Sequence, residues 1–282
     1  MLNNMADLTY DLHTHSTHSD GTTTVAELVQ GAVAAGLAGI SLTDHDTCAG
    51  WDEAREATAL FGIDFLPGIE LTTKHGCHSV HLLGYGMNPH YEPLATTLLW
   101  LREQRVQRVE EMVMKLAADY PLSLAKLRAR AQGAVGRPHI ADELVEMGIV
   151  ADRAAAFATL LSHRSKYYVP GQYLETRRAI QLVRAAGGVP VLAHPAAGRN
   201  HSAISRADMQ EFVTAGLLGI ELRHPENNPE LLQQIEFAAA GLGLLVTGSS
   251  DYHGSGKPNR LGDETTEAAV VAQIRQLAAV PR

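Results

Sequence analysis

Two short stretches, His13-Thr14-His15 and Asp251-Tyr252-His253, place metal-ligating side chains two residues apart, and alternate residues of an extended chain share one face. Asp20, Thr43-Asp44-His45, Glu70, His81 and His194 follow the same logic, each lying at or just beyond the end of an apolar, strand-like run. That shared position predicts a metal centre assembled at one face of a sheet or barrel. The chain carries 14 histidines against 5 phenylalanines and 2 tryptophans, and histidine is the commonest metal ligand.

The residues differ in how strongly they point to an ion. His45 follows the apolar Gly39-Ile40-Ser41-Leu42 and is the expected ligand of its cluster. Asp44 and Asp46 read instead as capping or turn residues, or as acceptors that orient an imidazole. Glu70 lies in Pro67-Gly68-Ile69-Glu70-Leu71, where an ionised carboxylate is costly unless paired or metal-bound; a bridging ligand is the economical reading. Of His75, His78 and His81, only His81 interrupts an apolar run, so His75 and His78 are assigned to a hairpin around Gly76. Pro195 stops the strand that delivers His194. Cys48 and Cys77 are the only cysteines and neither sits in a CxxC, which excludes a thiolate zinc site and leaves nitrogen and oxygen donors.

These residues need a scaffold that brings distant segments to one rim. Strand-like runs at Leu8–Leu12, Gly39–Thr43, Phe65–Leu71, Val80–Tyr85, Val189–Ala193, Gly219–Leu222 and Leu244–Gly248 alternate with helical patterns, which predicts a parallel α/β sheet or barrel. Helices are expected over Val25–Ala35, Thr176–Ala186, Arg206–Ala215 and Pro229–Ala240, each closed by glycine, and over Thr265–Ala279. Strand signal vanishes between about Pro93 and Pro170, where Leu94–Asp119, Leu124–Ala131, Ile140–Met147 and Arg153–Leu161 read as helices. The expected organisation is therefore a barrel from residues 1–92 and 171–282, with an all-helical insertion at 93–170 contributing to a substrate pocket. At 282 residues and 45% hydrophobic, with neither an apolar run of membrane length nor a signal-type start, the chain is expected to be cytoplasmic and unspanning. A net charge of −8 argues against duplex DNA as a partner, so a phosphate ligand needs a locally positive pocket.

The sequence resembles the polymerase and histidinol phosphatase (PHP) family of metal-dependent phosphoesterases, whose four motifs fall on His13-Thr14-His15, Thr43-Asp44-His45, His194-Pro195 and Asp251-Tyr252-His253. The resemblance implies an α/β fold, a distorted, TIM-like (β/α)7 barrel, carrying three divalent ions. It assigns one ion to His13, His15, Glu70 and Asp251, a second to Glu70, His81 and His194, and a third to Asp20, His45 and His253. Mn²⁺ is the first candidate, with Fe²⁺ or Zn²⁺ behind it, since imidazole-rich ligation disfavours a pure Mg²⁺ site. Gly136-Arg137-Pro138-His139 and the helical insertion most resemble the branch acting on nucleoside 3′,5′-bisphosphates and short RNA 5′ ends.

Charge then suggests the chemistry. Three divalent ions bring about +6 against about −3 from Asp20, Glu70 and Asp251, leaving a roughly +3 site that draws phosphate. A hydroxide bridging two ions, formed because metal binding lowers a water's pKa toward roughly 7, would attack phosphorus in line. Glu70 and Asp251 act catalytically in this scheme as ligands of those ions. The expected reaction is removal of the 3′-phosphate from a nucleoside 3′,5′-bisphosphate, with 5′-3′ attack on short RNA as an accompanying activity. Arg137 and His139 are the expected grips for a second phosphate, since arginine matches its oxygens bidentately; the bland alternative is that their motif starts the helix from Ile140. Lys166 and Arg177 are further substrate-contact candidates, and His224 is a candidate to orient a ligand or protonate the leaving group. The competing readings are a histidinol-phosphate-type monoesterase and a non-catalytic, metal-stabilised binding module.

Overall fold

The computed structural model describes residues 8–130, 135–197 and 204–278. The chain first alternates through β1 (Thr9–Thr14), α1 (Val25–Ala34), β2 (Gly39–Leu42), α2 (Trp51–Phe61), β3 (Asp64–Phe65), β4 (Gly68–His75) and β5 (His78–Tyr85). Four helices follow, α3 (Glu92–Leu116), α4 (Leu124–Arg130), α5 (Arg137–Glu146) and α6 (Arg153–Ala158). Alternation resumes with β6 (Leu174–Glu175), α7 (Thr176–Ala185), β7 (Val189–Leu192), α8 (Arg206–Ala215), β8 (Gly219–Arg223) and α9 (Pro229–Ala239). The chain closes with β9 (Leu245–Gly248), β10 (Thr266–Glu267) and α10 (Ala268–Ala278). The expected helix ends at Ala131 and Ala279 lie outside the described residues.

Local chemistry accounts for the crossovers. α1 starts at a capping box, Thr24 accepting from the Glu27 backbone and Glu27 from that of Thr24, and it buries Val25, Leu28, Val29 and Ala32 at helical spacing. Ser205 and Asp208 repeat the box at α8, which ends on Gly216 in the left-handed region. α2 was not expected from the sequence. Beyond Trp51 its buried face is Ala54, Ala57 and Thr58, small side chains that leave little apolar periodicity to detect.

The strands form two sheets, ordered β10-β1-β2-β3 and β6-β4-β5-β7-β8-β9. They meet through two single-residue parallel bridges, Thr14 with Tyr252 and His45 with Glu70. The result is a distorted, TIM-like barrel whose two seams fall at candidate ligands or their neighbours. The expectation of a parallel sheet holds for β1–β2, β7–β8 and β8–β9, but β5 runs antiparallel to both β4 and β7. The reason is the connection: His75 pairs with His78 across Gly76-Cys77, far too short for the dozen or more residues of a parallel crossover. This reversal puts the start of β5, with His81, at the rim where the parallel strands end.

One apolar core joins the large sheet to α3, α7 and α8 through Leu71, Leu82, Leu98, Ile180 and Phe212. The helical stretch has a second core of its own, including Val109, Met112, Leu127, Ile140 and Leu144. α3 belongs to both: Leu94, Leu98 and Leu101 pack on the barrel, and Val109 onward packs among the helices. Among the described residues no helix is long and apolar enough to cross a membrane.

Asp44, just beyond β2, fastens the loop that follows β1. Its carboxylate accepts from the Ser16 backbone at 2.9 Å, the Ser16 hydroxyl at 2.7 Å and the Ser19 hydroxyl at 2.6 Å. Asp44→Ala strands these buried donors and is expected to cost about 2–3 kcal/mol, read as a lower urea midpoint at unchanged slope. An unchanged midpoint would show that the loop is held elsewhere.

Candidate metal centre

Five histidines converge on one carboxylate. Glu70 Oε2 lies 3.1 Å from His13 Nε2, 3.1 Å from His15 Nε2 and 3.2 Å from His45 Nδ1; Oε1 lies 2.6 Å from His81 Nδ1 and 3.0 Å from His194 Nε2. Glu70 is 1% exposed, so its charge is stabilised here or nowhere. β1 delivers His13, the residue just past its end is His15, β4 delivers Glu70 and β5 delivers His81. Asp251 and His253 follow β9. Among the described residues the non-glycine positive φ angles are Asp46 (55°), His194 (28°) and Asp251 (53°), all at this rim, where such strain commonly marks a functional turn.

The spacing of donor atoms fits absent ions. Ligand atoms about 2.1 Å from a common ion stand about 3.0–3.5 Å apart. Asp251 Oδ1 lies 3.5 Å from His13 Nε2 and 3.3 Å from His15 Nε2, which with the Glu70 distances makes a four-atom cage of that size. His13 Nε2, His15 Nε2, His45 Nδ1, His81 Nδ1 and Asp251 Oδ1 are buried without a hydrogen-bond partner. Such orphaned atoms are what an ion would satisfy. Three groupings could each hold one: His13, His15, Glu70 and Asp251; His15, Asp20, His45 and His253; and His45, Glu70 and His81. The first matches the expected set. In the second His15 joins Asp20, at 3.7 Å from its Nδ1. In the third His45 stands where His194 was expected, while His194 reaches Glu70 directly.

The electrostatics divide the imidazoles. Burial works against charge on His13 and His15, yet the surrounding carboxylates overcome it: His13 is held well above its ordinary range and His15 is raised to about 9. Burial dominates elsewhere, depressing His45 strongly and lowering His194 and His253 to about 4, so these are ready neutral donors. Despite their own burial, Asp20, Glu70 and Asp251 are pushed well below the carboxylate range by the basic groups packed around them, the imidazoles of His45 and His253 at Asp20, those of His45 and His81 at Glu70, and Lys257 with His13 at Asp251.

Two residues behind the ligands, Glu221 and Lys257, were not foreseen. Glu221, fully buried on β8, meets His13 Nδ1 at 3.2 Å and accepts the His194 backbone N–H at 2.8 Å. The available signal was a repeat: Gly219-Ile220-Glu221-Leu222 duplicates Gly68-Ile69-Glu70-Leu71. Lys257 pairs with Asp251 and stands 3.5 Å from Glu226. His224 Nδ1 accepts the Glu226 N–H at 3.1 Å, so the ring proton sits on Nε2, 3.4 Å from Asp251 Oδ2. The His224 side chain is fully buried and off the cavity wall, and its Nε2, though near Asp251, has no hydrogen-bond partner.

Over the cluster opens a cavity of about 1010 Å³ between the rim, the β4–β5 hairpin and the helical stretch. Arg105 and Arg108 of α3 and Arg137 of α5 line it, with Phe157, Tyr168 and Tyr173. Arg105 is tied to Asp46 at 2.6 Å and Thr72 at 2.8 Å, and Arg108 to the Tyr173 hydroxyl at 2.7 Å. Arg137 lies over the Phe157 ring at 5.2 Å; burial, then Arg108, lowers it to about 10. The structure does not bring the other substrate candidates to this cavity. His139 Nδ1 accepts the Gly136 N–H at 3.0 Å as part of the start of α5 and lines a separate small pocket. Lys166 is exposed and paired with Asp119 at 2.7 Å, and Arg177 is exposed with Glu211 at 3.5 Å.

The PHP domain model matches residues 11–181. The chain belongs to the PHP family. The 3′,5′-nucleoside bisphosphate phosphatase of Chromobacterium violaceum is 32% identical to this PHP protein over 259 residues, 89% of each chain. The 5′-3′ exoribonuclease of Haemophilus influenzae is 32% identical over 248 residues, 86% of this chain and 89% of the other. A crystal structure from Bifidobacterium adolescentis, described as a metal-dependent phosphoesterase, superposes with a TM-score of 0.92 at 39% identity, covering 95% of this chain and 96% of that one. The family match ends before His194, whereas the structural match covers 95% of the chain. The protein is a metal-dependent PHP phosphoesterase with histidine-carboxylate clusters able to bind metal.

In the metal-free protein, protons on His13 and His15 supply the positive charge that the carboxylates demand. Their raised pKa values mean this stabilisation is complete below the unfolded value of about 6.5 and lost as pH climbs through about 9 for His15. Zn²⁺ or Mn²⁺ uptake at neutral pH is therefore expected to release about two protons and to tighten toward pH 9. Calorimetry in buffers of different ionisation enthalpy measures the release; a buffer-independent enthalpy would contradict the reading.

Proposed function

We propose that this PHP protein removes the 3′-phosphate from nucleoside 3′,5′-bisphosphates, giving a nucleoside 5′-monophosphate and inorganic phosphate. The observation that carries the reading is one cavity with two ends suited to anions: the histidine-carboxylate cluster on its floor and Arg105, Arg108 and Arg137 on its helical wall. A substrate with two phosphates separated by a nucleoside matches that pattern, and the aromatic wall of Phe157, Tyr168 and Tyr173 suits the intervening ring system.

The cluster is read as a trinuclear centre, Mn²⁺ first, formed by His13, His15, Asp20, His45, Glu70, His81, His194, Asp251 and His253. Divalent ions there supply positive charge to the phosphate oxygens and acidify water for attack. The chain's own residues do the rest. Among the described residues Arg137 pairs with no carboxylate, and a buried, uncompensated guanidinium is stabilised by a phosphate dianion. Arg105 is already neutralised by Asp46, so it shapes the wall and adds a weaker field. Phe157, Leu101 and Val109 limit water around the bound ester.

Attack on short RNA from its 5′ end uses the same two ends, with the terminal 5′-phosphate at the arginines and the next phosphodiester over the cluster. The name of the Haemophilus influenzae relative favours this second activity. A histidinol-phosphate-type substrate has one phosphate and leaves the arginine wall without a purpose. A non-catalytic module leaves the cavity over the cluster unexplained. The acidic chain makes a cytoplasmic enzyme for small nucleotides a better fit than a duplex binder.

A phosphate-release panel on Mn²⁺-loaded protein, using nucleosides phosphorylated at 2′, 3′ and 5′, is expected to rank the 3′,5′-bisphosphate first. Arg137→Ala should lower its kcat/KM roughly 10–100-fold, the value of one lost charged contact, while a small aryl phosphate changes less than about threefold. Preference for a base-free monophosphate, or equal losses on both substrates, would refute the assignment.

A further inference from the structure

Glu221 is a buried carboxylate with no place in the ligand set, and its geometry is specific. Oε1 stands 3.2 Å from His13 Nδ1 and Oε2 3.4 Å from the same nitrogen, while Oε2 also accepts the His194 backbone N–H at 2.8 Å. The other nitrogen of His13 faces Glu70 Oε2 at 3.1 Å and Asp251 Oδ1 at 3.5 Å, and it is buried without a hydrogen-bond partner. One side of the ring is therefore anchored and the other is left open toward the cluster. His194 holds φ at 28°, a backbone angle that a non-glycine residue keeps only when its surroundings enforce it.

We propose that Glu221 is a positioning residue that sets two members of the metal centre at once: it fixes His13 with Nδ1–H outward and Nε2 toward the ion, and it clamps the strained turn that presents His194. This rests on the metal reading of the cluster. The physical basis is general: a carboxylate accepting the distal N–H of an imidazole fixes the tautomer, fixes the ring plane and makes the proximal nitrogen a stronger donor, and losing it typically costs 10–100-fold in metal affinity. A purely structural role would require only an acceptor for the His194 N–H. A glutamine supplies that acceptor while lacking the charge that strengthens His13.

Glu221→Gln is therefore the discriminating variant. In calorimetric titration with Mn²⁺ alone, roughly 10–100-fold weaker binding is expected at the position formed by His13, His15, Glu70 and Asp251. The position formed by Asp20, His45 and His253 should stay within about twofold, and the melting temperature of the metal-free variant should stay close to wild type. Long-range proton–nitrogen spectra of the Zn²⁺-loaded proteins should show His13 protonated on Nδ1 alone in wild type, with that signal altered in the variant. Glu221→Ala, which also removes the acceptor, should lower the metal-free melting temperature as well. Equal Mn²⁺ affinities in wild type and Glu221→Gln, with an unchanged His13 signal, would overturn the inference. Wild-type protein that takes up no Mn²⁺ or Zn²⁺ would instead overturn the metal reading and this inference with it.

Discussion

An ionised carboxylate sealed from water among five imidazoles is the constraint around which the molecule is arranged. Glu70 is held by His13, His15 and His45 on one oxygen and by His81 and His194 on the other, at 2.6 to 3.2 Å. A charge that deep demands positive partners. No single stretch of chain can provide five imidazoles, so the ends of β1, β2 and β7 and the β4–β5 hairpin must meet at one rim. The two seams of the barrel, at Thr14–Tyr252 and His45–Glu70, fall where this convergence occurs. Ladder hydrogen bonding gives way there to side-chain chemistry, and the three strained backbone angles of the rim lie alongside.

The same constraint explains why the surroundings are built as they are. Asp44 ties down the loop carrying Asp20, Asp46 anchors Arg105, and Glu221 anchors His13, so each approach to the cluster is held by a buried acceptor. The helical stretch is attached to this frame at two levels. α3 shares the barrel core at its start and reaches Asp46 through Arg105, while Arg153 of α6 donates to the Asp20 carbonyl at 3.1 Å and pairs with Asp142 at 2.5 Å. The wall that would select a substrate and the rim that would act on it are thus mechanically joined.

Much of the rim was legible because polar residues inside or at the end of apolar runs are expensive unless used. His13, His15, Glu70, His194 and Asp251 all broke such runs, and the structure gathers them. The reversal between β4 and β5 was legible in the hairpin around Gly76, but the antiparallel pairing of β5 with β7 was not, since an apolar run carries no sign of which neighbour it will join. Glu221 shares the Gly-Ile-Glu-Leu context of Glu70 but lies outside the four family motifs. The arginine wall was read only in part. Arg137 was found through a local motif, but Arg105 and Arg108 lie on a long helix whose facing depends on tertiary packing, and His139, Lys166 and Arg177 proved to be engaged elsewhere.

The central claim is that these side chains form a cage for divalent ions and are not a self-satisfied polar network. Anomalous diffraction at the manganese or zinc edge, on crystals grown with that metal, tests it most directly. The account predicts a strong peak within about 2.3 Å of His13 Nε2, His15 Nε2, Glu70 Oε2 and Asp251 Oδ1, with further peaks beside Asp20 and His81. Ordered crystals with full metal in solution and no anomalous density among these atoms would contradict it.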